Sequence, residues 1–219
     1  MNQDPLPTVG ILIFDDVEVL DFCGPFEVFS VARPLGEHSD DLRLFNVVII
    51  AEEDRIITCR GGLLVKPHAT IENHPPLDIL VVPGGQGTRR ERHNQRLLDW
   101  IARQDQHTNL TTSVCTGAFL LAETGLLNNH RATTHWNSVE WMRNTYPTIE
   151  MLADARVVDE GHIITSAGIS AGIDMSLHVV SRLYDLDVAA WTARRMEYDW
   201  HADETHSTKL EKIGGHEDS

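Results

Sequence analysis

The sequence is short of cysteine and of positive charge, and it has no long apolar run. Its 219 residues include three cysteines, an odd number without regular spacing. Such a set excludes a disulfide framework and does not supply a zinc ligand set. The histidines are scattered, with no His-x-x-x-His helix pair, so we expect no metal site. A reducing compartment suits this cysteine usage, and we expect a cytoplasmic protein.

The shortage of positive charge limits the possible partners. Lysine and arginine together number 18 against 33 aspartates and glutamates, which gives a formal net charge of −15 at pH 7. Nucleic acids and anionic membranes would be repelled by such a chain, so we expect a small-molecule partner. No apolar run approaches the roughly 20 residues of a membrane span, and no charged-then-apolar leader opens the sequence, so we expect a soluble protein.

The length and composition suit one domain. A hydrophobic content of 42% in 219 residues is enough for a single sizeable core, and no shift in composition marks a second one. Residues 1–8 carry two prolines and are expected to be a flexible lead-in. The domain is predicted over residues 9–199, and residues 200–219 are expected to be a mobile polar tail.

Short apolar runs alternate with helical patterns along the chain. The runs are typical of central strands in a parallel sheet and lie at residues 9–14, 42–51 and 77–82. Residues 110–114 alternate apolar and hydroxyl residues with β-branched types, which predicts another buried strand, and a short strand is predicted at residues 131–135. Helices are predicted at residues 88–105, 118–126, 136–145, 171–183 and 188–198. This alternation predicts an α/β fold, a doubly wound sandwich with helices on both faces of the sheet. Turn glycines predict hairpins within residues 55–69 and 156–166.

One junction between a strand and a helix carries a cysteine. The β-rich run Leu110–Val114 meets a helical pattern at Cys115, and Gly117 leaves room for the backbone to pass. A residue at so sharp a turn has the geometry of a nucleophile elbow. Because the thiol would lie at a helix N-terminus, we expect its pKa to fall below about 8.5. The alternative interpretation is that Cys115 is a small buried hydrophobic residue.

Two loops at the carboxyl ends of predicted strands could complete a site with Cys115. The first follows residues 9–14 and brings Asp16, Glu18 and Asp21 to the edge where α/β proteins bind ligands. The second, residues 83–87, is rich in glycine and could offer backbone N–H groups, Gly85 among them, to an anion or oxyanion beside Gln86. It lacks the lysine and the spacing of a P-loop, so nucleotide binding is not expected.

Five segments resemble the ThiJ/PfpI superfamily, a class I glutamine amidotransferase-like group. They are residues 14–28 (FDDVEVLDFCGPFEV), 82–85 (VPGG), 112–117 (TSVCTG), 131–136 (RATTHW) and 166–174 (SAGISAGID). Within the superfamily they are most similar to isocyanide hydratases. The resemblance implies a flavodoxin-like fold, a homodimer, and a cysteine nucleophile at Cys115 beside the carboxylic acid of Asp21. Members that resemble intracellular proteases have histidine after the cysteine, where this chain has Thr116. Peptidase activity is therefore not expected.

The resemblance implies a hydratase without a cofactor. In this hypothesis Cys115 attacks an isocyanide to give a covalent thioimidate, and Asp21 transfers a proton and directs water. Backbone N–H groups of Gly85 and Thr116 would stabilise negative charge. The substrate is expected to be small and apolar, which suits a pocket walled by Ile169 and the small residues around it.

Two other functions stay open at the same site. One is a glyoxalase or deglycase that acts on dicarbonyl compounds, and the other is a redox or ligand sensor whose cysteine oxidises to a sulfinate. Similar motifs occur in the ligand-sensing half of AraC-type regulators. The sequence ends about twenty residues after Tyr198, too few for a helix-turn-helix pair, so a regulator is not expected.

Several candidate residues have a plainer alternative role. Asp21 could instead be a helix N-cap, and Asp16 and Glu18 are rival acids that could equally be solvated. His135, at a predicted strand end, could belong to a triad or could be a structural histidine at the pocket edge. Cys23 and Cys59 are expected to pack in the structure rather than to react.

Overall fold

The structure is a computed structural model that describes residues 5–39, 41–202 and 206–208. Its strands are β1 (Thr8–Leu12), β2 (Asn46–Ala51), β3 (Ile57–Thr58), β4 (Leu64–Val65), β5 (Ala69–Thr70), β6 (Ile79–Val82), β7 (Leu110–Val114), β8 (Arg131–Ala132), β9 (Glu150–Met151), β10 (Val157–Asp159), β11 (Ile163–Ser166) and β12 (His206–Thr208). Its helices are α1 (Val19–Val31), α2 (Thr88–Glu91), α3 (Gln95–Asp105), α4 (Ala118–Glu123), α5 (Val139–Thr145), α6 (Ala171–Leu183) and α7 (Leu186–Arg195). Three-residue 3₁₀ turns lie at Arg60–Gly62, Cys115–Gly117 and Trp136–Ser138.

The predicted apolar strands form the centre of one eight-stranded sheet. The strand order is β12-β10-β11-β7-β6-β1-β2-β5. Neighbours from β11 to β5 are parallel, and the pair β10 and β11 is antiparallel. Every residue of β1, β6 and β7 is buried, as expected for strands covered on both faces. The predicted flavodoxin-like fold with a mostly parallel sheet is confirmed.

The helices pack in two groups beside the sheet. Helix α6 packs against both α1 and α7, and α3 packs against α4. The apolar face of α3 shows how the sequence produces this packing, because Leu97, Leu98, Trp100 and Ile101 recur at helical spacing and are all buried. No helix among the described residues is long and apolar enough to cross a membrane.

Both predicted hairpins are present. Strands β3 and β4 pair in antiparallel fashion, and the turn between them uses Gly61 and Gly62 with φ angles of +80° and +89°. Strands β10 and β11 pair across a turn that contains Gly161, at a φ of +91°. Positive φ angles are accessible to glycine at little cost, which is why these turns could be recognised in the sequence.

Several predicted boundaries were wrong. The second strand begins at Asn46 rather than at residue 42, and the single helix expected over residues 88–105 is divided into α2 and α3. The division occurs because Asn94 caps α3: its side-chain oxygen accepts a hydrogen bond from the Leu97 N–H at 3.3 Å. The short strand expected at residues 131–135 is present as β8, but β9 and its parallel pairing with β8 were not predicted.

The two chain ends extend partly outside the described residues. Of the expected lead-in, residues 1–4 lie outside, and Thr8 already belongs to β1. Of the expected tail, residues 203–205 and 209–219 lie outside. Residues 206–208 form β12, which pairs with β10 at the edge of the sheet. This strand was not predicted from the polar sequence of the tail.

Candidate active site

The chain makes the expected sharp bend at Cys115. Its φ angle is +56°, a left-handed conformation that is rare for residues other than glycine. The Cys115 N–H donates to the Ala167 carbonyl at 3.1 Å, which holds the bend against the end of β11. The chain then passes so close to β6 that a Cβ atom on Gly117 would lie 2.0 Å from the Val82 carbonyl oxygen. The elbow therefore requires glycine at position 117.

The environment of the Cys115 thiol differs from the prediction. The side chain is 5% exposed, and burial, followed by the nearby Asp21 carboxylate, raises the pKa of the thiol to about 12. Hydrogen bonds from the N–H groups of Thr116 and Ile169 act in the opposite direction. The predicted low pKa was wrong because α4 has six residues and follows a 3₁₀ turn, so its dipole is small beside the cost of burying a thiolate.

Asp21 lies against Cys115 and is completely buried. Its Oδ2 accepts the Gly84 N–H at 2.9 Å, while Oδ1 has no N–H or O–H donor among the described residues. Burial raises the pKa of this carboxyl to about 7; the Gly84 hydrogen bond lowers it and the charge of Glu18 raises it further. The alternative N-cap role was wrong, because α1 begins at Val19, after its N-cap Glu18, and Asp21 lies inside the first turn.

Asp21 and Cys115 form one titrating pair. The two side chains lie close enough for each to change the protonation of the other. Above about pH 7 the pair holds a single proton. When that proton lies on Asp21, the carboxyl can donate to the sulfur and gives Oδ1 the partner it otherwise lacks. With pKa values of about 7 for Asp21 and about 12 for Cys115, the shared proton lies on sulfur at rest, and its transfer to Asp21 gives a thiolate beside a carboxylic acid.

The glycine-rich loop is tied to Thr116. The Gly85 N–H donates to the Thr116 Oγ1 at 3.0 Å, and the Thr88 hydroxyl donates to the Gly85 carbonyl at 2.8 Å. The Thr116 and Thr88 hydroxyl oxygens lie 3.1 Å apart. Because its N–H already has this partner, Gly85 is not the oxyanion donor that the sequence suggested. The Thr116 side chain positions the loop instead.

Gly84 sits in a gap that no side chain could fill. A Cβ atom there would lie 2.5 Å from the Thr116 backbone nitrogen and 2.8 Å from the Asp21 Oδ2. The absence of a side chain thus lets the loop backbone reach the buried carboxyl and donate to it. The loop, the elbow and α1 meet at this point.

Ile169 and His135 both lie near the cysteine. Ile169 has a φ of +51°, and its N–H points to the Cys115 sulfur. The His135 ring packs on Gly168, and its Nδ1 accepts the Asn137 N–H at 3.3 Å. Burial lowers the pKa of His135. The charge of Glu18 raises this pKa, and the charges of Arg89 and Arg60 lower it further. Within the described part of the chain no hydrogen bond joins His135 to Cys115, which favours the structural interpretation.

A cavity of about 400 Å³ opens onto the cysteine. The predicted site residues that line it are Gly85, Gln86, Cys115, Thr116, His135 and Ile169. Four further lining residues were not predicted: Arg60, Arg89, Asn137 and Ser138. Glu18, which the sequence offered as a rival acid, is also part of the cavity wall. Ile169 lines the cavity as expected, but the rest of the wall consists mostly of polar or charged side chains rather than of the small residues around Ile169.

Position in the chain could have indicated the missed residues. Arg60 directly precedes the turn glycines of the β3–β4 hairpin, and Arg89 comes two residues after the glycine-rich loop. Asn137 and Ser138 follow His135 in the 3₁₀ turn. The glycine-rich loop was predicted at the ligand-binding edge of the sheet and His135 at a strand end, but the hairpin was not placed near the site. Nothing in the sequence showed that their side chains would point into one cavity.

The other candidate residues do not contact the Cys115–Asp21 pair through any hydrogen bond or ion pair among the described residues. Asp16 is exposed and lies 3.5 Å from Arg90, and Glu18 lies 3.6 Å from Arg60, so both rival acids form ion pairs. Cys59 is 1% exposed. Cys23 is half-buried against the core, and burial raises the pKa of its thiol.

Comparison with known proteins relates the chain to one family. Residues 7–182 match the DJ-1/PfpI family. The chain is 34% identical over 191 residues to an isonitrile hydratase of Pseudomonas putida, an alignment that covers 87% of this chain and 78% of that one. A crystal structure of a ThiJ/PfpI family protein from Pseudomonas syringae superposes with a TM-score of 0.79 at 29% identity, covering 90% of this chain and 77% of the other.

Regulators are also among the relatives. The HTH-type transcriptional regulator GbdR of Pseudomonas aeruginosa is 26% identical over 200 residues, which are 90% of this chain and 52% of the regulator. The chain thus spans about half the length of that relative. On the match over residues 7–182 and the identity to the hydratase, the chain belongs to the DJ-1/PfpI family.

Proposed function

We propose that the protein is a cysteine-dependent isocyanide hydratase, a lyase that converts an isocyanide to an N-substituted formamide. The observation that carries the proposal is the buried pair of Cys115 and Asp21 at the base of a cavity, which can present a nucleophile and an acid together. The 34% identity to an isonitrile hydratase supports the same reaction. No cofactor is required, because both steps are proton transfers and additions at one carbon.

The first step forms a covalent thioimidate. The Cys115 sulfur bonds to the terminal carbon of the isocyanide, and the proton of Asp21 moves to that carbon, so that R–N≡C becomes R–N=CH–S–protein. The N–H groups of Thr116 and Ile169 stabilise the negative charge on sulfur before attack. Asp21 leaves this step as a carboxylate.

The second step consumes water. Asp21 takes a proton from a water molecule, whose oxygen adds to the thioimidate carbon, and the proton passes to the nitrogen. The hydroxyl proton of the adduct then moves to sulfur as the C–S bond breaks. The products are R–NH–CHO and the original thiol, so one water is consumed and the pair again holds one proton.

A second candidate is a glyoxalase or deglycase on the same cysteine. The polar wall of the cavity favours it, because Arg60, Arg89 and Asn137 could hydrogen-bond the oxygens of a dicarbonyl compound. In that case Cys115 would attack a carbonyl carbon rather than an isocyanide carbon.

The proposal includes a homodimer. The β3–β4 hairpin beside the site exposes Leu63 and Leu64, whose exposed fractions are 46% and 63%. Burying these leucines against a second copy would remove apolar surface from water. Light scattering at micromolar concentration is expected to give the mass of two chains, and the mass of one chain would contradict this part of the proposal.

The reaction class can be tested with two substrates. We expect the purified protein to convert cyclohexyl isocyanide to N-cyclohexylformamide, and chromatography of the product measures this conversion. Cys115→Ser should abolish it. Turnover of methylglyoxal with no formamide formed would support the second candidate instead.

Asp21→Asn separates proton transfer from structure. Asparagine keeps the shape and can still accept the Gly84 N–H, but it cannot deliver a proton to the isocyanide carbon. We expect hydration to fall by about 100-fold or more, the usual contribution of general acid–base catalysis. Alkylation of Cys115, measured by mass spectrometry, should persist because the raising effect of the Asp21 charge on the thiol pKa is removed. Retention of more than about a tenth of the activity would contradict the role of Asp21.

The raised pKa of Asp21 also predicts a pH-dependent stability. A folded pKa of about 7 against 3.8 in the unfolded chain favours folding at low pH, and this contribution is lost as the pH rises through 7. The stability of Asp21→Asn relative to wild type should therefore increase between pH 4 and pH 8, by about 4 kcal/mol at most. Urea unfolding at each pH measures this difference. Asp154→Asn, at an exposed position, is the control, and an equal trend in both variants would refute the explanation.

A further inference from the structure

Arg89 has an unusual position among the charged residues near the site. It lies on the wall that the catalytic cavity shares with a second cavity of about 400 Å³, together with Asn137 and Ser138. Its guanidinium forms no hydrogen bond or ion pair with any residue that the structure describes. The guanidinium is therefore free to bind a ligand from either cavity.

The neighbouring arginines have partners. Arg90 contacts Glu91 at 2.8 Å and Asp16 at 3.5 Å. Arg92 lies 3.7 Å from Glu123 and over the Trp141 ring at 4.8 Å. A chain with a net charge of −15 offers many carboxylates with which an arginine could pair. An arginine without such a partner beside Cys115 is therefore available to bind a ligand.

The charged side chains of the cavity wall leave one positive charge without an ion-pair partner. Glu18 lies 3.6 Å from Arg60, so these two side chains neutralise each other. Burial lowers the pKa of His135, which keeps the ring neutral at pH 7. Among the described wall residues Arg89 is then the remaining charge. The buried pair of Cys115 and Asp21 carries one negative charge only above about pH 7, so below that pH the cavity is locally positive and concentrates small anions at its mouth.

We propose that the cavity selects small electrophiles that carry an anionic group such as a carboxylate, and that Arg89 binds this group. The proposal rests on the proposed function for the reacting end of the molecule and adds the chemistry of the other end. A guanidinium can bind a carboxylate through two parallel hydrogen bonds, which orients the ligand as well as attracting it. The reactive carbon would then face the Cys115 sulfur.

Alkylation of Cys115 tests the charge preference without requiring catalysis. Iodoacetate and iodoacetamide have similar size and the same leaving group, but the first is an anion. In both, the Cys115 sulfur bonds to the methylene carbon, iodide leaves, and the thiol proton is released to water. The ratio of the two rates at Cys115, measured by peptide mass spectrometry, reports how well the cavity accepts an anion.

We expect this ratio to fall about three- to tenfold in Arg89→Gln, the range for a partly exposed charge-assisted contact. Arg103→Gln is the matched control, because Arg103 is also exposed and its loss changes the net charge equally, but it lies on α3 away from the cavity. The control should keep the wild-type ratio. Raising the salt concentration should reduce the difference between wild type and Arg89→Gln. A ratio that changes equally in both variants, or by less than about twofold in Arg89→Gln, overturns the proposal.

Ligand binding gives a second measurement that does not depend on thiol reactivity. Propionate and propionamide differ in charge, and Trp136 and Trp141 lie close enough to the shared wall for their fluorescence to report occupancy. Wild type should bind propionate more tightly than propionamide, and Arg89→Gln should lose this preference. Equal affinity of wild type for both compounds would contradict the proposal even if Cys115 reacted with neither alkylating agent.

Turnover then connects the two proposals. Isocyanoacetate and its methyl ester carry the same isocyanide, and the ratio of their kcat/KM values should favour the anion in wild type and fall in Arg89→Gln. If neither compound is hydrated while the alkylation ratio behaves as expected, the hydratase function fails and the anion preference stands. If both are hydrated and the ester is preferred, the hydratase function stands and the role of Arg89 fails.

Discussion

The contact between Asp21 and Cys115 is the interaction on which the rest of the site depends. Both groups are acids that the fold has removed from water, and the charged form of each is costly in that environment. Among the described residues, one backbone N–H, from Gly84, supports the carboxylate. Sharing one proton between oxygen and sulfur avoids two adjacent buried anions. In the proposed reaction Asp21 first gives this proton to the isocyanide carbon. As a carboxylate it then takes a proton from water.

The pair can exist because three backbone segments approach each other more closely than side chains would allow. Gly84 and Gly117 have no room for a Cβ atom, and the left-handed bend at Cys115 is held by the Ala167 carbonyl. Thr116 completes the arrangement, since its hydroxyl accepts the Gly85 N–H and also lies beside the Thr88 hydroxyl. A histidine at position 116 would have no hydroxyl to place between the Gly85 N–H and the Thr88 hydroxyl. The identity of this residue therefore affects how the loop is held.

Membership in the DJ-1/PfpI family determines less about the substrate than about the fold. Relatives include a hydratase and a transcriptional regulator, so the same domain serves different functions. The wall of the cavity says more about the ligand than the family does: Arg60 is paired with Glu18, and Arg89 is not paired among the described residues. A cavity of this kind suits a ligand with a polar or charged end better than the small apolar molecule that the sequence suggested.

The sequence by itself determined where the central strands lie along the chain, where the two hairpins turn and where the elbow at Cys115 occurs. Each of these depends on a local pattern: β-rich runs for the strands, turn glycines for the hairpins, and a small residue after a strand for the elbow. It also indicated Asp21 through the resemblance. Only the tertiary structure decided the direction of the Cys115 pKa shift, the loss of Gly85 as an oxyanion donor, and the convergence of Arg60 and Arg89 on one cavity. These properties depend on burial and on contacts between residues far apart in the chain, such as Gly84 with Asp21 and Gly85 with Thr116. Desolvation and long-range hydrogen bonding have no local sequence pattern, so they could be known only once the chain was folded.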